Sequence, residues 1–131
     1  GHTLNYRSIP EWGVEVKKLT GGRGVDHVLD LGGPGTLPQS IASCRLGGHS
    51  SLIGTLTGFA GQVPTGLMMR QQIRLQGLIV GSRAQQQQLV NAMNATDLRP
   101  VIDRRFALAD LADAFRYEES GHHFGKICLE F

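Results

Sequence analysis

A glycine-rich turn follows a short aliphatic stretch near the start of the chain. The stretch runs from Val25 to Leu31, and the turn reads Gly32-Gly33-Pro34-Gly35. Glycine lets a backbone bend sharply with no Cβ in the way, so backbone N–H and C=O groups can approach a bound molecule. A phosphate-binding G-x-G-x-x-G pattern starting at Gly33 would need a glycine where Pro38 stands. We therefore interpret the turn as a close-approach turn and not as a pyrophosphate site.

Side chains that could act as catalysts or metal ligands are scattered along the chain. Five histidines and two cysteines occur with no Cys-x-x-Cys or His-x-x-x-His spacing, whereas a structural zinc site needs four convergent N or S ligands. No Ser-His-Asp arrangement and no pair of carboxylates has a suggestive spacing. We therefore expect neither a catalytic residue nor a metal site within this chain.

Composition narrows the class of protein. Lys and Arg total 13 against 11 Asp and Glu, and the basic residues are scattered, so we expect no nucleic-acid partner. A membrane span needs roughly 18 continuous apolar residues, and no such run or signal-peptide pattern occurs. Cys44 and Cys128 lie far apart in apolar contexts, which favours buried free thiols over a disulfide. The sequence therefore predicts a cytoplasmic protein without a membrane partner.

The elements that would position the glycine turn alternate between strand and helix. The run Val25–Leu31 predicts a strand buried on both faces. The segments predicted after it are a helix at 36–44, a strand at 50–54, a glycine-rich loop at 55–61, a short helix at 64–72 and a strand at 73–80. Such alternation predicts parallel pairing with right-handed crossovers, and ligands of such sheets sit beyond the carboxyl ends of the strands. We therefore predict an α/β fold that forms part of a nucleotide-binding sheet.

The two ends of the chain carry further local signals. Thr3–Tyr6 is predicted to be extended, and Ser8-Ile9-Pro10-Glu11 forms a capping-box pattern for a helix that Gly21-Gly22 ends. After Gly81 the pattern indicates a different layer. Its predicted elements are a helix capped by Ser82 and Gln85, a very short strand at 101–102, a helix at 108–121 and a final strand at 126–131.

The ordered set of these segments resembles the medium-chain dehydrogenase/reductases, above all the zinc-type alcohol dehydrogenases and their quinone-oxidoreductase relatives. The segments that carry the resemblance are 25–33, 52–54, 73–77, 100–102, 106–108, 114–115 and 125–127. The resemblance implies the carboxyl-terminal part of such an enzyme, without the amino-terminal catalytic domain and the glycine fingerprint. Residues 1–81 would be a partial dinucleotide-binding (Rossmann) domain with strands 3 to 6 of its parallel sheet. Residues 82–131 would supply the carboxyl-terminal helices and strand of the catalytic domain.

The same resemblance implies a set of cofactor-binding residues. In the family, the ends of the fourth, fifth and sixth strands line the nicotinamide half of the cofactor. The matching positions here are Leu31, Gly32, Gly33, Ile53, Gly54, Thr55, Ile79 and Val80. Lys126 matches a cation near the cofactor, and Tyr6 matches a position near the adenosine end. The alternative is that the strand ends belong to the core and that Lys126 and Tyr6 are solvated surface residues.

The function implied by the resemblance is that of an NAD(P)-dependent oxidoreductase that passes hydride between nicotinamide and an alcohol or aldehyde. Two alternatives stay open: a quinone or enone reductase of the same superfamily, and a non-catalytic nucleotide-binding or assembly module. The chain alone is expected to be inactive, and any zinc ion would be bound by residues of the parent enzyme outside this chain. Family members commonly dimerise through the sixth strand, here 74–80, so a homo-oligomer is expected.

Overall fold

The structure is a computed structural model that describes residues 1–131. The chain forms two compact units, Gly1–Val80 and Gly81–Phe131. The elements of the first unit are α1 (Trp12–Leu19), β1 (Val25–Asp30), α2 (Leu37–Ser43), β2 (Cys44–Leu52), α3 (Thr65–Gln71) and β3 (Arg74–Gly77). Those of the second are α4 (Arg83–Thr96), β4 (Ile102–Ala107), a 3-10 turn (Leu108–Asp110), α5 (Leu111–Glu119) and β5 (Lys126–Glu130). None of the helices is both long and apolar enough to cross a bilayer.

The sheet of the first unit has the order β1-β2-β3, and both pairs of strands are parallel. This arrangement confirms the parallel pairing predicted from the alternation of strands and helices. The register places Val28 beside Ser50 and Ser50 beside Leu75 on one face of the sheet. Because all three strands run the same way, their carboxyl ends lie at one edge of the sheet.

The core of the first unit lies on one face of this sheet. Leu37 and Ile41 of α2 are buried with Cys44 and Ile73, and Val28 and Leu75 of the sheet pack against them. The prediction that β1 is buried on both faces is wrong. Leu29 is 67% exposed and Leu31 57% exposed, because Val28 points toward the helices while its strand neighbour Leu29 points the opposite way.

The amino-terminal predictions are also corrected. Thr3–Tyr6 joins no strand of the sheet, so only the strands predicted as the fourth to sixth are present. α1 begins at Trp12 with Glu11 as its N-cap and no side-chain cap bond, so the capping box at Ser8 does not form. The reason is a competing turn: the hydroxyl of Ser8 donates to the carbonyl of Asn5 at 3.1 Å, and the N–H of Ile9 donates to the same oxygen at 3.0 Å.

The bounds of β2 and β3 differ from those predicted. β2 begins at Cys44, because Val25 pairs with Cys44 and His27 with His49, which leaves residues 45–48 as a bulge in the ladder. β2 ends at Leu52, before Ile53, and β3 ends at Gly77 instead of Val80. Past the end of β3 one further hydrogen bond joins the two strands, from the N–H of Leu78 to the carbonyl of Leu52 at 2.9 Å.

The second unit is a pair of parallel strands with two helices. The predicted capping box of α4 is confirmed: the N–H of Gln85 donates to the hydroxyl of Ser82 at 3.3 Å, and the N–H of Ser82 donates to Gln85 Oε1 at 2.7 Å. β4 extends to Ala107 and pairs with β5, so it is longer than the strand predicted at 101–102. Ala114 of α5 is the buried apolar residue of this unit.

Candidate functional site

The candidate site lies where β1 and β2 end. The carbonyl oxygen of Asp30, the last residue of β1, accepts hydrogen bonds from the N–H groups of Ile53 at 2.8 Å and Gly54 at 3.2 Å. The ladder thus continues past the end of β2 and fixes the two strand ends against each other. In parallel α/β sheets this carboxyl edge is where ligands bind.

Two glycines allow the loops beyond these ends to touch. We call residues 31–36 the first loop and residues 53–64 the second loop. Gly33 has φ +81°, and a Cβ built on it would lie 2.9 Å from the Gly54 carbonyl oxygen and 3.1 Å from the Cα of Thr55. A Cβ on Gly54 would collide with the backbone carbonyl of Leu31. Side chains at either position would therefore force the two loops apart.

A buried carboxylate holds the first loop on the sheet. The side chain of Asp30 is almost inaccessible, with the residue 2% exposed. Its Oδ1 accepts from the N–H of Gly33 and the hydroxyl of Thr36, each at 2.8 Å, and its Oδ2 accepts from the hydroxyl of Ser40 at 2.6 Å. Three donors compensate for the removal of this carboxylate from water. Asp30 therefore fixes both the glycine turn and the first turns of α2.

A mostly apolar cavity of about 260 Å³ lies between the two loops. Pro34 and Leu37 line one side, and Phe59 and Val63 of the second loop line another. None of the lining residues carries an ionisable side chain. The cavity can accept an uncharged, apolar group and offers no general acid or base of its own.

The predicted cofactor-binding residues divide into those that the structure brings together and those that it does not. Residues 31–33 and 53–55 lie in direct backbone contact, as the glycine geometry shows. Ile79 and Val80 follow β3 and are 89% and 87% exposed. Tyr6 is exposed in an amino-terminal turn, where its ring lies 6.0 Å from the guanidinium of Arg7. Lys126 is an exposed residue at the start of β5, in the second unit.

A cluster of His27, His49 and Ser51 lies on the face of the sheet opposite the core. This cluster is not among the sites predicted from the sequence. The Nε2 of His27 lies 2.7 Å from the hydroxyl oxygen of Ser51, and the His27 and His49 rings lie 4.6 Å apart. No carboxylate hydrogen-bonds to either ring, so the cluster lacks the third member of a nucleophile triad. No local pattern in the sequence links these residues. They meet because the strand register sets His27 of β1 beside His49 of β2.

An ion-pair cluster lies at the opposite end of β1. The carboxylate of Asp26 accepts from Arg23 at 2.6 Å and from Arg45 at 2.6 Å. The hydrogen bonds from these two guanidinium groups lower the pKa of Asp26 far below its ordinary value. The side chain of Asp26 is 61% exposed, so the cluster is a surface network that ties the bulge of β2 to β1.

The residues of this chain do not fit a zinc ion. No group of three or more His, Cys, Asp or Glu side chains lies close enough to hold a metal. Cys44 is buried among apolar residues of the core, and burial raises the pKa of its thiol, which opposes the thiolate that zinc needs. We therefore assign no role to a metal in this chain.

The fold is that of an α/β protein with parallel strands, and in such sheets ligands bind at the edge where the carboxyl ends of the strands meet. The sequence matches the family described as zinc-binding dehydrogenase over residues 1–129. A zinc-type alcohol dehydrogenase-like protein of Schizosaccharomyces pombe is 35% identical over 138 aligned positions, which cover 98% of this chain. The chain belongs to the zinc-binding dehydrogenase family, and the predicted resemblance to the medium-chain dehydrogenase/reductases is confirmed.

Solved structures agree with this assignment. A Sinorhizobium meliloti protein named as an alcohol dehydrogenase superposes with a TM-score of 0.83 at 37% identity over 95% of this chain. A structure named NAD-dependent alcohol dehydrogenase gives a TM-score of 0.79 at 28% identity over 93% of the chain. The first unit is therefore a Rossmann-type α/β sheet, as predicted. The chain spans 38% of the length of the Schizosaccharomyces relative and 36% of each of these structures.

Proposed function

We propose that this chain is the carboxyl-terminal part of an NAD(P)-dependent oxidoreductase of the alcohol dehydrogenase type, and that it supplies one wall of the nicotinamide cleft. The observation that carries the proposal is the pair of hydrogen bonds from Ile53 and Gly54 to the Asp30 carbonyl. These bonds hold two glycine-bearing strand ends side by side at the ligand-binding edge of the sheet. The similarity to a structure named NAD-dependent alcohol dehydrogenase also supports the proposal.

The proposed wall has an apolar part and a backbone part. Leu31, 57% exposed, and Ile53, 39% exposed, present aliphatic side chains at this edge, and such surfaces exclude water from a reacting centre. Gly33 and Gly54 let the backbones of the two loops approach each other closely, so this edge presents backbone groups beside the aliphatic side chains. A bound nicotinamide would accept or release the hydride. We assign Gly32, Thr55, Ile79 and Val80 to the same wall.

We also assign Lys126 and Tyr6 to cofactor binding, on the strength of the family resemblance. The ammonium group of Lys126 is suited to a ribose or phosphate oxygen, since lysine is a flexible point charge. Tyr6 is exposed and free to lie along the adenosine half. In this proposal residues 1–81 belong to the dinucleotide-binding domain and residues 82–131 to the catalytic domain of the complete enzyme.

The substrate chemistry of the proposed enzyme depends on residues outside this chain. The ionisable side chain at these strand ends, the carboxylate of Asp30, is buried and already accepts three hydrogen bonds. The strand ends can therefore position a cofactor but cannot move the proton of an alcohol. We therefore expect that the chain alone catalyses no hydride transfer. The proposed substrates are small alcohols and aldehydes.

The test compares the protein encoded by the complete reading frame around this chain with the 131-residue chain itself. Oxidation of NADH and NADPH is followed at the nicotinamide absorbance with aldehydes, enones and quinones. We expect turnover of aldehydes by the longer protein and none by the chain. Turnover of quinones or enones alone would favour the reductase alternative, and no turnover or dinucleotide binding by the longer protein would contradict the proposal.

We also propose that the protein self-associates through β3, which lies at the edge of the sheet. An unpaired strand edge followed by exposed aliphatic residues favours pairing with a second copy, and Leu78 after this edge is 51% exposed. Leu78→Lys should shift the sedimentation coefficient toward that of a monomer. Leu98→Lys is the matched control, at a leucine that is 59% exposed in the second unit. A wild-type chain that sediments as a monomer at high concentration would overturn this proposal.

The cytoplasmic location stays part of the proposal. Both cysteines are free thiols, Cys44 buried and Cys128 partly buried. Free thiols are typical of a reducing compartment. Detection of the tagged protein in an oxidising compartment would contradict this assignment.

A further inference from the structure

Thr57, an exposed residue of the second loop, makes every hydrogen bond that joins the first loop to the second. Its N–H donates to the carbonyl of Gly32 at 2.9 Å, and its hydroxyl donates to the same oxygen at 2.7 Å. The same hydroxyl oxygen accepts from the N–H of Gly35 at 2.7 Å. The side chain of Thr57 therefore occupies both a donor and an acceptor of the glycine turn.

The steric fit of the loops agrees with this bonding pattern. A Cβ built on Gly35 would lie 2.9 Å from the Thr57 hydroxyl oxygen, and one on Gly61 would collide with the ring of Pro34. Gly35 of the first loop faces Thr57 of the second loop, and Gly61 of the second loop faces Pro34 of the first loop. The two loops thus fit each other on both sides of the Thr57 contact.

We propose that Thr57 is a positioning residue that makes the two strand-end loops move as one body, and that this coupling sets the affinity for the nicotinamide half of the cofactor. The inference rests on the proposed function. The buried carboxylate of Asp30 fixes the first loop to α2 and the sheet. The second loop has no such buried anchor near its tip, where Leu56 is 85% and Phe59 95% exposed. Thr57 therefore holds the second loop against the first loop, which Asp30 anchors.

The chemistry of the contact limits which substitutions preserve it. Serine keeps the hydroxyl and both side-chain hydrogen bonds, whereas valine keeps the branched shape and loses both. The N–H of Thr57 is retained in both variants. Because Thr57 lies at the surface, neither replacement disturbs the core, so Thr57→Ser is a matched control for Thr57→Val.

The first measurement is amide hydrogen exchange, resolved by NMR, in the 131-residue chain. In Thr57→Val the Gly35 amide loses its acceptor, so its exchange should become about tenfold faster than in the wild type. In Thr57→Ser it should stay within about twofold, while amides of the central strand β2 should not change in either variant. Equal Gly35 exchange in all three proteins would overturn the coupling of the loops.

The second measurement is titration of NADH and NADPH into the protein encoded by the complete reading frame. We expect Thr57→Val to raise the Kd about tenfold and Thr57→Ser to change it less than about twofold. A wild-type protein that binds while Thr57→Val binds equally well would overturn the role of Thr57 and leave the proposed function intact. A wild-type protein that binds neither dinucleotide would contradict the proposed function and the cofactor role of Thr57, whereas the exchange data would still decide whether the loops are coupled.

Discussion

The hydroxyl of Ser40, in α2, donates a 2.6 Å hydrogen bond to the carboxylate of Asp30 at the end of β1. Both residues are 2% exposed. The bond crosses from strand to helix beneath the glycine turn, so the conformation of the turn depends on a polar contact inside the unit. The glycine turn of the candidate site therefore depends on Ser40, a buried residue of α2.

Asp30→Asn should destabilise the first unit. The amide replaces one acceptor oxygen by a donor, so one of the three donors that Asp30 satisfies is left buried without a partner. We expect the free energy of unfolding to fall by about 2 kcal/mol. The measurement is urea denaturation, with Asp97→Asn at an exposed position as the control, for which we expect a change below about 0.5 kcal/mol. Equal midpoints for the two variants would show that the buried hydrogen bonds contribute nothing.

Gly54→Ala should be poorly tolerated, because its Cβ would meet the backbone carbonyl of Leu31. Overpacking against a fixed backbone costs about 1–3 kcal/mol. Gly66→Ala is the matched control, since a Cβ on Gly66, within α3, meets no atom. Alanine there should raise the unfolding free energy by up to about 1 kcal/mol because of its higher helix propensity. In thermal unfolding we expect the melting temperature to fall for Gly54→Ala and to rise for Gly66→Ala. Equal shifts in the two variants would contradict the close approach of the strand ends.

The second unit should show an acid-dependent stability through Asp103. The N–H of Phe124 donates to this carboxylate at 3.0 Å and the hydroxyl of Tyr117 at 2.9 Å, and these bonds lower the pKa of Asp103. A carboxyl group with a lowered folded-state pKa stabilises the fold above its unfolded pKa of about 4, and this stabilisation is lost as the pH falls through the lower folded-state value. Asp103→Asn should therefore lower the melting temperature at pH 7, and its difference from the wild type should shrink as the pH falls below about 4.

The control for this experiment is Asp110→Asn, at the N-cap of α5, where the aspartate side chain makes no capping hydrogen bond. Its melting temperature should follow the wild type at every pH, as measured by circular dichroism. If the difference in melting temperature between Asp103→Asn and the wild type stayed unchanged down to pH 2, the role assigned to the ionised carboxylate would be refuted.

The two cysteines should differ in reactivity. Cys44 is fully buried, and burial raises the pKa of its thiol, so both access and the supply of thiolate are reduced. Cys128 is only partly buried. Iodoacetamide should therefore alkylate Cys128 much faster than Cys44, as followed by peptide mass spectrometry, and unfolding in urea should remove the difference. Faster labelling of Cys44 in the native protein would contradict the placement of α2 against the sheet.

The order and direction of the main elements could be predicted from local patterns alone. Aliphatic runs ending in glycine predict strands and turns, and the residues Leu37, Ile41 and Cys44 at helical spacing form the observed core. The Ser82 and Gln85 capping box was predictable because both partners lie within one helical turn. The same pattern at Ser8 failed because the N–H groups of Ser8 and Ile9 close a separate turn on the carbonyl of Asn5, and α1 begins only at Trp12.

The residues that shape the candidate site could not be predicted from pattern alone. Asp30 interrupts an aliphatic strand, and its role depends on Ser40 ten residues later, a distance that no short motif covers. Thr57 contacts Gly32 across 25 positions of sequence, and only the parallel pairing of β1 with β2 brings them together. An acidic residue that follows two aliphatic residues and lies two positions before Gly32-Gly33 is the one signal that could have singled out Asp30.

The central claim is that the carboxyl edge of the sheet receives a nicotinamide dinucleotide. Leu31→Glu would place a carboxylate at this edge, and Leu46→Glu is its matched control near the start of β2. The two leucines are 57% and 61% exposed. Isothermal titration of NADH and NADPH into the protein encoded by the complete reading frame measures the effect directly. We predict that Leu31→Glu raises the Kd at least about tenfold while Leu46→Glu leaves it within about twofold. Equal affinity in both variants and the wild type would contradict the claim.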